Sequence, residues 1–225
     1  MEKENLIRPS LLSADFSDLC KDIDEMISLN ITHCHFDVMD GSFVSDISFG
    51  QPIYKSLVKR YQDRIVFDVH LMTLNPLKQV RSFIQAGSRD ITFQIEAFNG
   101  EKEEIIELKK QFPDLKLGVA ISPDTPFERV KEMIHLFDSI LVMSVVPGKG
   151  GQKFIEGKEK KIEEINSYKK MHNLNLDIGV DGGINEITGP LCYLSGATYL
   201  VAGSFYFNKQ DRKEGLRLIR EKIGG

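Results

Sequence analysis

The chain has 225 residues, 41% of them hydrophobic and 28% charged, with three cysteines and a net charge of -4. This composition suffices for the core of one domain spanning 1–225, and the acidic balance excludes a basic nucleic-acid-binding protein. No apolar run approaches the ~18 residues that are needed to cross a membrane. The cysteines form no CxxC pair, and the charged segment 1–5 is not followed by the apolar segment of a signal peptide. We therefore expect a cytoplasmic protein.

The first half of the chain alternates strand-like and helical patterns. A short apolar run at 7–12 leads into a helix with apolar residues at helical spacing from Leu19, and Ser13 or Asp15 is the candidate cap. Buried strands are predicted at 32–39, 65–72, 90–97 and 115–121, and helices at 51–61, between Pro76 and Ala86, and at 101–110.

The second half continues the alternation. Strands are predicted at 139–145, 176–180 and 198–202, and helices through about Leu136, at about 153–170, at 186–195 and at 211–222. Each of these three strands is followed by glycines, at 147–151, at Gly182-Gly183 and at Gly203.

Eight strands in strict alternation with eight helices favour a parallel α/β fold. The strands are nearly continuous apolar runs, as is typical when both faces of a parallel sheet are buried. A doubly wound open sheet is the rival, but it would gather polar residues near one switch point. Here polar residues recur at the ends of early, middle and late strands, so we favour a single-domain (β/α)8 TIM barrel.

Four side chains at predicted strand ends form a candidate metal site. His35 and Asp37 share one face of a strand because they are two residues apart, His70 ends the next strand, and Asp181 ends the seventh. In a barrel all four meet at one mouth, and two imidazoles with two carboxylates suit Zn²⁺, Fe²⁺, Mn²⁺ or Co²⁺. A lone strand-end histidine is more often a buried hydrogen-bonded residue, and a lone aspartate before two glycines is more often a turn residue. The prediction therefore depends on all four together.

The glycines after the last three strands indicate a phosphate site. Exposed backbone N–H groups near helix N-termini bind phosphate, and TIM barrels commonly hold one in the loops after strands seven and eight. The candidate residues are Gly148, Lys149, Gly150, Gly151, Gly182, Gly183, Gly203 and Ser204. Each glycine pair alone is more often a simple turn, and a loop lysine is more often merely exposed.

Two carboxylates around one metal suggest a reaction. A metal that holds a sugar's carbonyl and adjacent hydroxyl oxygens stabilises an enediolate, which makes the proton on the carbon between them acidic. Two carboxylates on opposite faces of that carbon can then remove the proton from one side and return it on the other. Such a pair needs one aspartate ionised and the other protonated.

At these residues the chain resembles the ribulose-phosphate 3-epimerase family nearly end to end. The matching segments are Pro9-Ser10, 12–16, His35 to Gly41, Asp68 to Met72, 142–145, Pro147-Gly148, 150–154, Val180 to Gly183 and Val201 to Ser204. The resemblance implies a TIM-barrel isomerase with one divalent metal that interconverts D-ribulose 5-phosphate and D-xylulose 5-phosphate in the pentose phosphate pathway. It also implies a homo-oligomer, a dimer or a hexamer.

The resemblance also assigns roles to residues. It implies that His35, Asp37, His70 and Asp181 bind the metal, that Asp37 and Asp181 form the acid–base pair, and that the glycine segments bind phosphate. Ser10 and His70 fall on substrate contacts. Met39, Met72 and Met143 match methionines around the reacting centre, although from composition alone they read equally well as core residues.

The chain departs from the usual pattern of the family near the mouth. Gln94 stands where histidine is usual, and Ser45-Asp46, Ser122, Val146 and Lys149 are further departures. None of them removes a metal ligand or a catalytic carboxylate. A 3-epimerase of a hexulose phosphate such as D-allulose 6-phosphate, and a phospho-ligand-binding barrel without turnover, are the alternative functions.

Overall fold

Eight parallel strands form the centre of the computed structural model, which describes residues 6–224. They are β1 (Ile7–Pro9), β2 (His33–Met39), β3 (Val66–Met72), β4 (Asp90–Gln94), β5 (Lys116–Ile121), β6 (Ser139–Met143), β7 (Asp177–Asp181) and β8 (Tyr199–Ala202). Their order in the sheet is β1-β8-β7-β6-β5-β4-β3-β2. A parallel bridge between Ser10 and His35 joins the end of β1 to β2, so the sheet closes on itself. The charged segment 1–5, used above against a signal peptide, lies outside the described residues, as does Gly225.

Helices follow the strands around the outside of this barrel. They are α1 (Leu19–Ser28), α2 (Gln51–Tyr61), α3 (Pro76–Gln85), α4 (Lys102–Gln111), α5 (Glu128–Lys131), α6 (Glu159–Met171), α7 (Thr188–Ser195), α8 (Ser204–Phe207) and α9 (Arg212–Lys222). The chain is a (β/α)8 TIM barrel, which confirms the predicted fold class. Within 6–224 no helix is both long enough and apolar enough to span a membrane.

Alternate residues of each strand face two different environments. On β2, Cys34, Phe36 and Val38 pack in the large core between the sheet and the helices. A smaller cluster, formed by Ala120, Leu141, Met143, Tyr199 and Val201, fills part of the barrel interior. His35 and Asp37 share the other face of β2; Asp37 contacts Ser10, the residue after β1, and His35 contacts Asp68 of β3. The period of two that the sequence predicts for β2 is therefore observed, and Cys34 is separated from the site.

Several element boundaries differ from the predictions. The strand predicted at 90–97 ends at Gln94 and continues as a 3₁₀ turn, and the helix expected up to Leu136 is only the short α5 and a second 3₁₀ turn. The helix expected from about 153 begins at Glu159, because Gly157 adopts a φ of 84° that no right-handed helix contains. The cap of α1 is Asp18, which accepts from the N–H of Lys21, rather than Ser13 or Asp15.

Candidate metal and active site

Four side chains converge at the C-terminal rim of the barrel. Asp37 of β2 pairs in register with His70 of β3, which brings the side chains of neighbouring strands together, and Asp181 ends β7 opposite them. One ligand atom from each of His35, Asp37, His70 and Asp181 lies within 4.8 Å of the others. The structure thus brings together all four residues that the sequence predicts as metal ligands.

The distances within this group are short and the group is buried. Nδ1 of His70 lies 3.0 Å from Oδ1 of Asp37 and 3.8 Å from Oδ2 of Asp181. Nε2 of His35 lies 3.3 Å from Oδ1 of Asp37 and 3.9 Å from Oδ2 of Asp181. The two histidines and Asp37 are buried, and Asp181 is half-buried. Four groups that carry lone pairs therefore face one small space.

A carboxylate behind His35 fixes which of its nitrogens faces the group. Nδ1 of His35 donates to Oδ1 of Asp68 over 2.8 Å, and the guanidinium of Arg8 donates to the other carboxylate oxygen over 2.5 Å. Arg8 also lies over the ring of Tyr199, 3.7 Å from its centroid. Such carboxylate–histidine pairs orient metal-binding imidazoles in proteins. With Nδ1 used in this way, Nε2 of His35 is left to face the other three ligands.

A neutral side chain lies behind His70. Nε2 of His70 is 3.3 Å from the terminal amide of Gln94, and both residues are fully buried. His70 therefore faces the group with Nδ1, whereas His35 faces it with Nε2.

The two carboxylates of the group have opposite electrostatic environments. Burial opposes ionisation of Asp37, but His35 and His70 outweigh it and hold the pKa of Asp37 below its usual range. Its second oxygen accepts from the hydroxyl of Ser10 over 2.6 Å. For Asp181, burial and then the negative charge of Asp37 raise the pKa to about 6. Near pH 6 this pair can hold one proton on Asp181 while Asp37 stays ionised.

A cleft opens above the group. Its lining includes Asp37, Asp181, Ser10, Met72 and Met143. It also includes every residue predicted to bind phosphate, namely Gly148, Lys149, Gly150, Gly151, Gly182, Gly183, Gly203 and Ser204. Lys149 is exposed in this lining. Met39 is buried and does not appear in the lining. The residues predicted to bind phosphate and the two aspartates of the group thus line the same cleft.

Hydrogen bonds hold the loops of this cleft in place. The hydroxyl of Ser144 donates to the carbonyls of Asp181 and Gly182 over 2.9 and 2.6 Å, which ties the end of β6 to the turn after β7. The side chain of Gln152 donates to the carbonyls of Val146 and Lys149, which closes the glycine-rich turn. Helix α8 begins at Ser204, so its free N–H groups add to those of the glycine turns.

Gly183 is the glycine of this cleft at which a Cβ would meet the backbone of another loop. Gly183 adopts a φ of 62°, and a Cβ there would lie 2.3 Å from the backbone nitrogen of Phe154. The chain after β7 therefore passes directly against the chain after β6, which only glycine permits.

Asp68, Arg8 and Gln94 are parts of the site that the strand-end pattern does not indicate. Asp68 stands two residues before His70 and therefore shares its face of the strand, which in a barrel is the inner face. Arg8 is a charge inside an apolar run, and Gln94 is a departure from the family pattern. Each is a polar residue inside a predicted buried strand, which requires a partner.

Comparisons with known proteins show which family the chain belongs to. The family model described as "Ribulose-phosphate 3 epimerase family" matches residues 6–207. The chain is 37% identical over 215 residues to the ribulose-phosphate 3-epimerase of Bacillus subtilis, covering 95% of this chain and 97% of that protein. It is 35% identical over 222 residues to the rice ribulose-phosphate 3-epimerase, cytoplasmic isoform, covering 97% and 94%.

Solved structures share the fold at low sequence identity. The structure of 3-keto-L-gulonate-6-phosphate decarboxylase from Vibrio cholerae aligns with a TM-score of 0.67 and 14% identity, covering 97% of each chain. At this identity the likeness supports the barrel alone.

Proposed function

Because the chain belongs to the ribulose-phosphate 3-epimerase family, we propose that it interconverts D-ribulose 5-phosphate and D-xylulose 5-phosphate by a two-base transfer, in which one of Asp37 and Asp181 removes the C3 proton and the other donates a proton to the opposite face. The observation that carries this proposal is the pairing of two carboxylates of unlike pKa with two imidazoles, in the same cleft as the glycine turns. The family assignment makes the chain an epimerase, and the residues of the cleft support the details that follow.

The donor set fits a divalent cation. Nδ1 of His35 faces the carboxylate of Asp68, so it carries a proton and Nε2 presents a lone pair to the group. Nitrogen and oxygen lone pairs then face one another across 3.0 to 3.9 Å, which requires a cation or bound protons between them. His35, Asp37, His70 and Asp181 would hold Zn²⁺, Fe²⁺, Mn²⁺ or Co²⁺. Bound there, the cation would act as a Lewis acid that makes the C3 proton of the sugar acidic.

The two aspartates divide the proton transfer. Asp37, whose pKa is lowered by the neighbouring imidazoles, takes the proton from one face of C3 as the base. Asp181, whose raised pKa of about 6 keeps a fraction of it protonated at neutral pH, delivers a proton to the opposite face, and the roles exchange in the reverse direction. Ser10 donates to Oδ2 of Asp37, whereas Oδ1 faces the two imidazoles, so the orientation of this carboxylate is fixed.

The phosphate of the substrate would lie at the glycine turns. The residues of the turns after β6 and β7 and of the start of α8 line the same cleft as the aspartates. Helix N-termini and glycine nests favour anions, and Lys149 adds a positive charge. His70, Met72 and Met143 would contact the sugar near the reacting carbon, and Met39 would support it from beneath.

The proposal is tested in D₂O with metal-loaded protein and two separate substrates, D-ribulose 5-phosphate and D-allulose 6-phosphate. We expect epimerisation of the pentulose with deuterium entering at C3. Faster turnover of the hexulose would instead assign the related hexulose-phosphate epimerase. Binding of both sugars without exchange would leave a phospho-ligand-binding barrel and refute both enzymatic readings.

A variant separates proton transfer from folding. Asp181→Asn removes the proposed acid and keeps nearly the same shape, so we expect loss of epimerisation in a folded barrel. Circular dichroism and retained sugar-phosphate binding are the controls. Activity close to that of the unaltered protein would show that Asp181 does not transfer the proton.

The cytoplasmic location and the dimeric or hexameric assembly remain predictions from the sequence and the family.

A further inference from the structure

Gln94 occupies an unusual position for a neutral amide, directly behind a candidate metal ligand. It is the last residue of β4 and is fully buried, and its amide lies 3.3 Å from Nε2 of His70. Thr92, two residues earlier, is also buried and pairs in register with His70. The inner face of β4 therefore presents two polar side chains, of which Gln94 meets the imidazole.

The direction of the Gln94 amide follows from its other neighbours. With its nitrogen turned away from His70, Gln94 donates to Oε2 of Glu96 over 2.9 Å and to the carbonyl of Ala120 over 3.3 Å. A carboxylate and a carbonyl only accept, so this orientation satisfies both, and the amide oxygen then faces His70. The orientation of the amide is thus set by two acceptors on one side.

Glu96 is itself held rigidly. Its other oxygen accepts from the N–H of Ser122 over 2.7 Å and from the hydroxyl of Thr125. On the far side of that loop, Lys161 of α6 donates to the carbonyls of Ser122 and Thr125 over 3.2 and 2.6 Å. The loop after β5 is anchored from both sides, so Glu96 and with it Gln94 have little freedom to reorient.

An oxygen that faces Nε2 of His70 dictates where the histidine carries its proton. Nε2 must be the donor, and in the neutral ring Nδ1 then presents a lone pair. Nδ1 is the nitrogen that lies 3.0 Å from Asp37 and 3.8 Å from Asp181. An imidazole rotated about its axis would lose this hydrogen bond, and a buried amide oxygen would be left without a donor.

We propose that Gln94 is a positioning residue that holds His70 in the Nε2–H tautomer, so that Nδ1 is fixed as the metal-binding atom. The two imidazoles of the site are then oriented by partners of different charge, Asp68 behind His35 and the uncharged Gln94 behind His70. A neutral partner orients His70 without adding charge beside the site. This inference rests on the metal binding in the proposed function.

Three variants test the proposal by metal affinity, measured with Zn²⁺ in competition with a chelator and without substrate. Gln94→Met keeps length and charge but removes the acceptor, and we expect about 10- to 100-fold weaker binding, the usual effect of losing a partner behind a metal ligand. Gln94→Glu restores an oxygen facing Nε2 and, when protonated on the oxygen that faces Glu96 and the Ala120 carbonyl, keeps the donor that these two acceptors need, so its affinity should exceed that of Gln94→Met. Thr92→Val is the matched control, because it removes a buried polar group from the same face of β4, and its affinity should be unchanged.

A spectroscopic measurement on the unaltered protein provides independent evidence. In ¹H–¹⁵N spectra of the Zn²⁺-loaded protein, we expect the Nε2 proton of His70 to be visible and shifted downfield by its hydrogen bond to an oxygen. Ligation of His70 through Nε2 would overturn the inference even if Gln94→Met does not fold.

The outcomes separate this inference from the proposed function. If the unaltered protein binds no divalent metal, the proposed function fails. If it binds metal and folded Gln94→Met binds equally well, or if Thr92→Val weakens binding as much as Gln94→Met, only the role of Gln94 is refuted.

Discussion

Replacing Asp181 by Asn should stabilise the metal-free protein while abolishing its activity. The carboxyl is only 16% exposed, and burial followed by the charge of Asp37 raises its pKa from 3.8 to about 6. Because each pKa unit corresponds to about 1.4 kcal/mol, ionising Asp181 at neutral pH costs the folded state at most about 3 kcal/mol. Partial relaxation of the site reduces this cost, so we expect Asp181→Asn to raise the free energy of unfolding by about 1–3 kcal/mol. Each kcal/mol corresponds to a rise in Tm of roughly 2–4 °C.

The sign of the pH dependence follows from the direction of the pKa shift. Asp181 has a higher pKa in the folded than in the unfolded protein, so its contribution to stability is fully present below the unfolded value of 3.8. That contribution is lost as the pH rises through about 6. The advantage of Asp181→Asn should therefore grow by about 2 kcal/mol between about pH 4.5 and 7.5.

The assay is urea unfolding in the presence of a chelator at both pH values. Asp177→Asn is the control, because Asp177 lies exposed at the start of the same strand, and it should change stability by less than about 0.5 kcal/mol. A thousandfold excess of Zn²⁺ over Kd should reverse the order, since the unaltered protein then gains about 4.1 kcal/mol and the variant loses a ligand. A metal-free Asp181→Asn protein that is less stable than the unaltered one at pH 7.5 would refute the reasoning.

Three further predictions follow from the same geometry. Asp68→Asn should weaken metal binding about 10- to 100-fold, because His35 loses the carboxylate behind Nδ1; equilibrium dialysis with Co²⁺ measures it, and unchanged binding would contradict the role of Asp68. Gly183→Ala should raise KM for the sugar phosphate and lower the free energy of unfolding by about 1–3 kcal/mol, because the new Cβ would meet the backbone of Phe154. Gly157→Ala, at a φ of 84° with open space around it, is the control for backbone strain alone. Equal KM values for the two variants would exclude an effect of the clash on substrate binding. Burial lowers the pKa of His35, but the charges of Asp68 and Asp37 outweigh burial and hold this pKa above its usual value. Zn²⁺ binding should therefore release protons, and the affinity should weaken as the pH falls. A pH indicator followed during a Zn²⁺ titration measures the proton release, and a Kd that does not change with pH would argue against this prediction.

The fold and the four-ligand group could be predicted from the sequence because both depend on patterns within single strands. The apolar runs of a parallel sheet are local, and the period of two on β2 already separates His35 and Asp37 from Cys34. The rule that strand ends meet at one rim then adds His70 and Asp181 without any knowledge of register.

The partners behind the histidines could not be predicted because they depend on contacts between strands. Asp68 lies opposite His35 only because β2 and β3 pair in the observed register, and a slip of one residue would turn it to the other face. Gln94 reaches His70 through its rotamer, which Glu96 sets from beyond the end of the strand. Helix α8 was also missed, since its four residues are too few to show a periodic pattern.

The alternation on β2 separates stability from chemistry along one strand. Phe36 packs in the outer core against Phe49 and Tyr54, whereas His35 and Asp37 on either side of it face the site, where converging lone pairs oppose folding in the absence of a cation. Because the outer core does not depend on the ligands, the barrel can tolerate this unfavourable group. It follows that a change on the outer face, such as Phe36→Leu, should lower stability with little effect on metal affinity. A change on the inner face, such as His35→Ala, should abolish metal binding and leave the barrel folded.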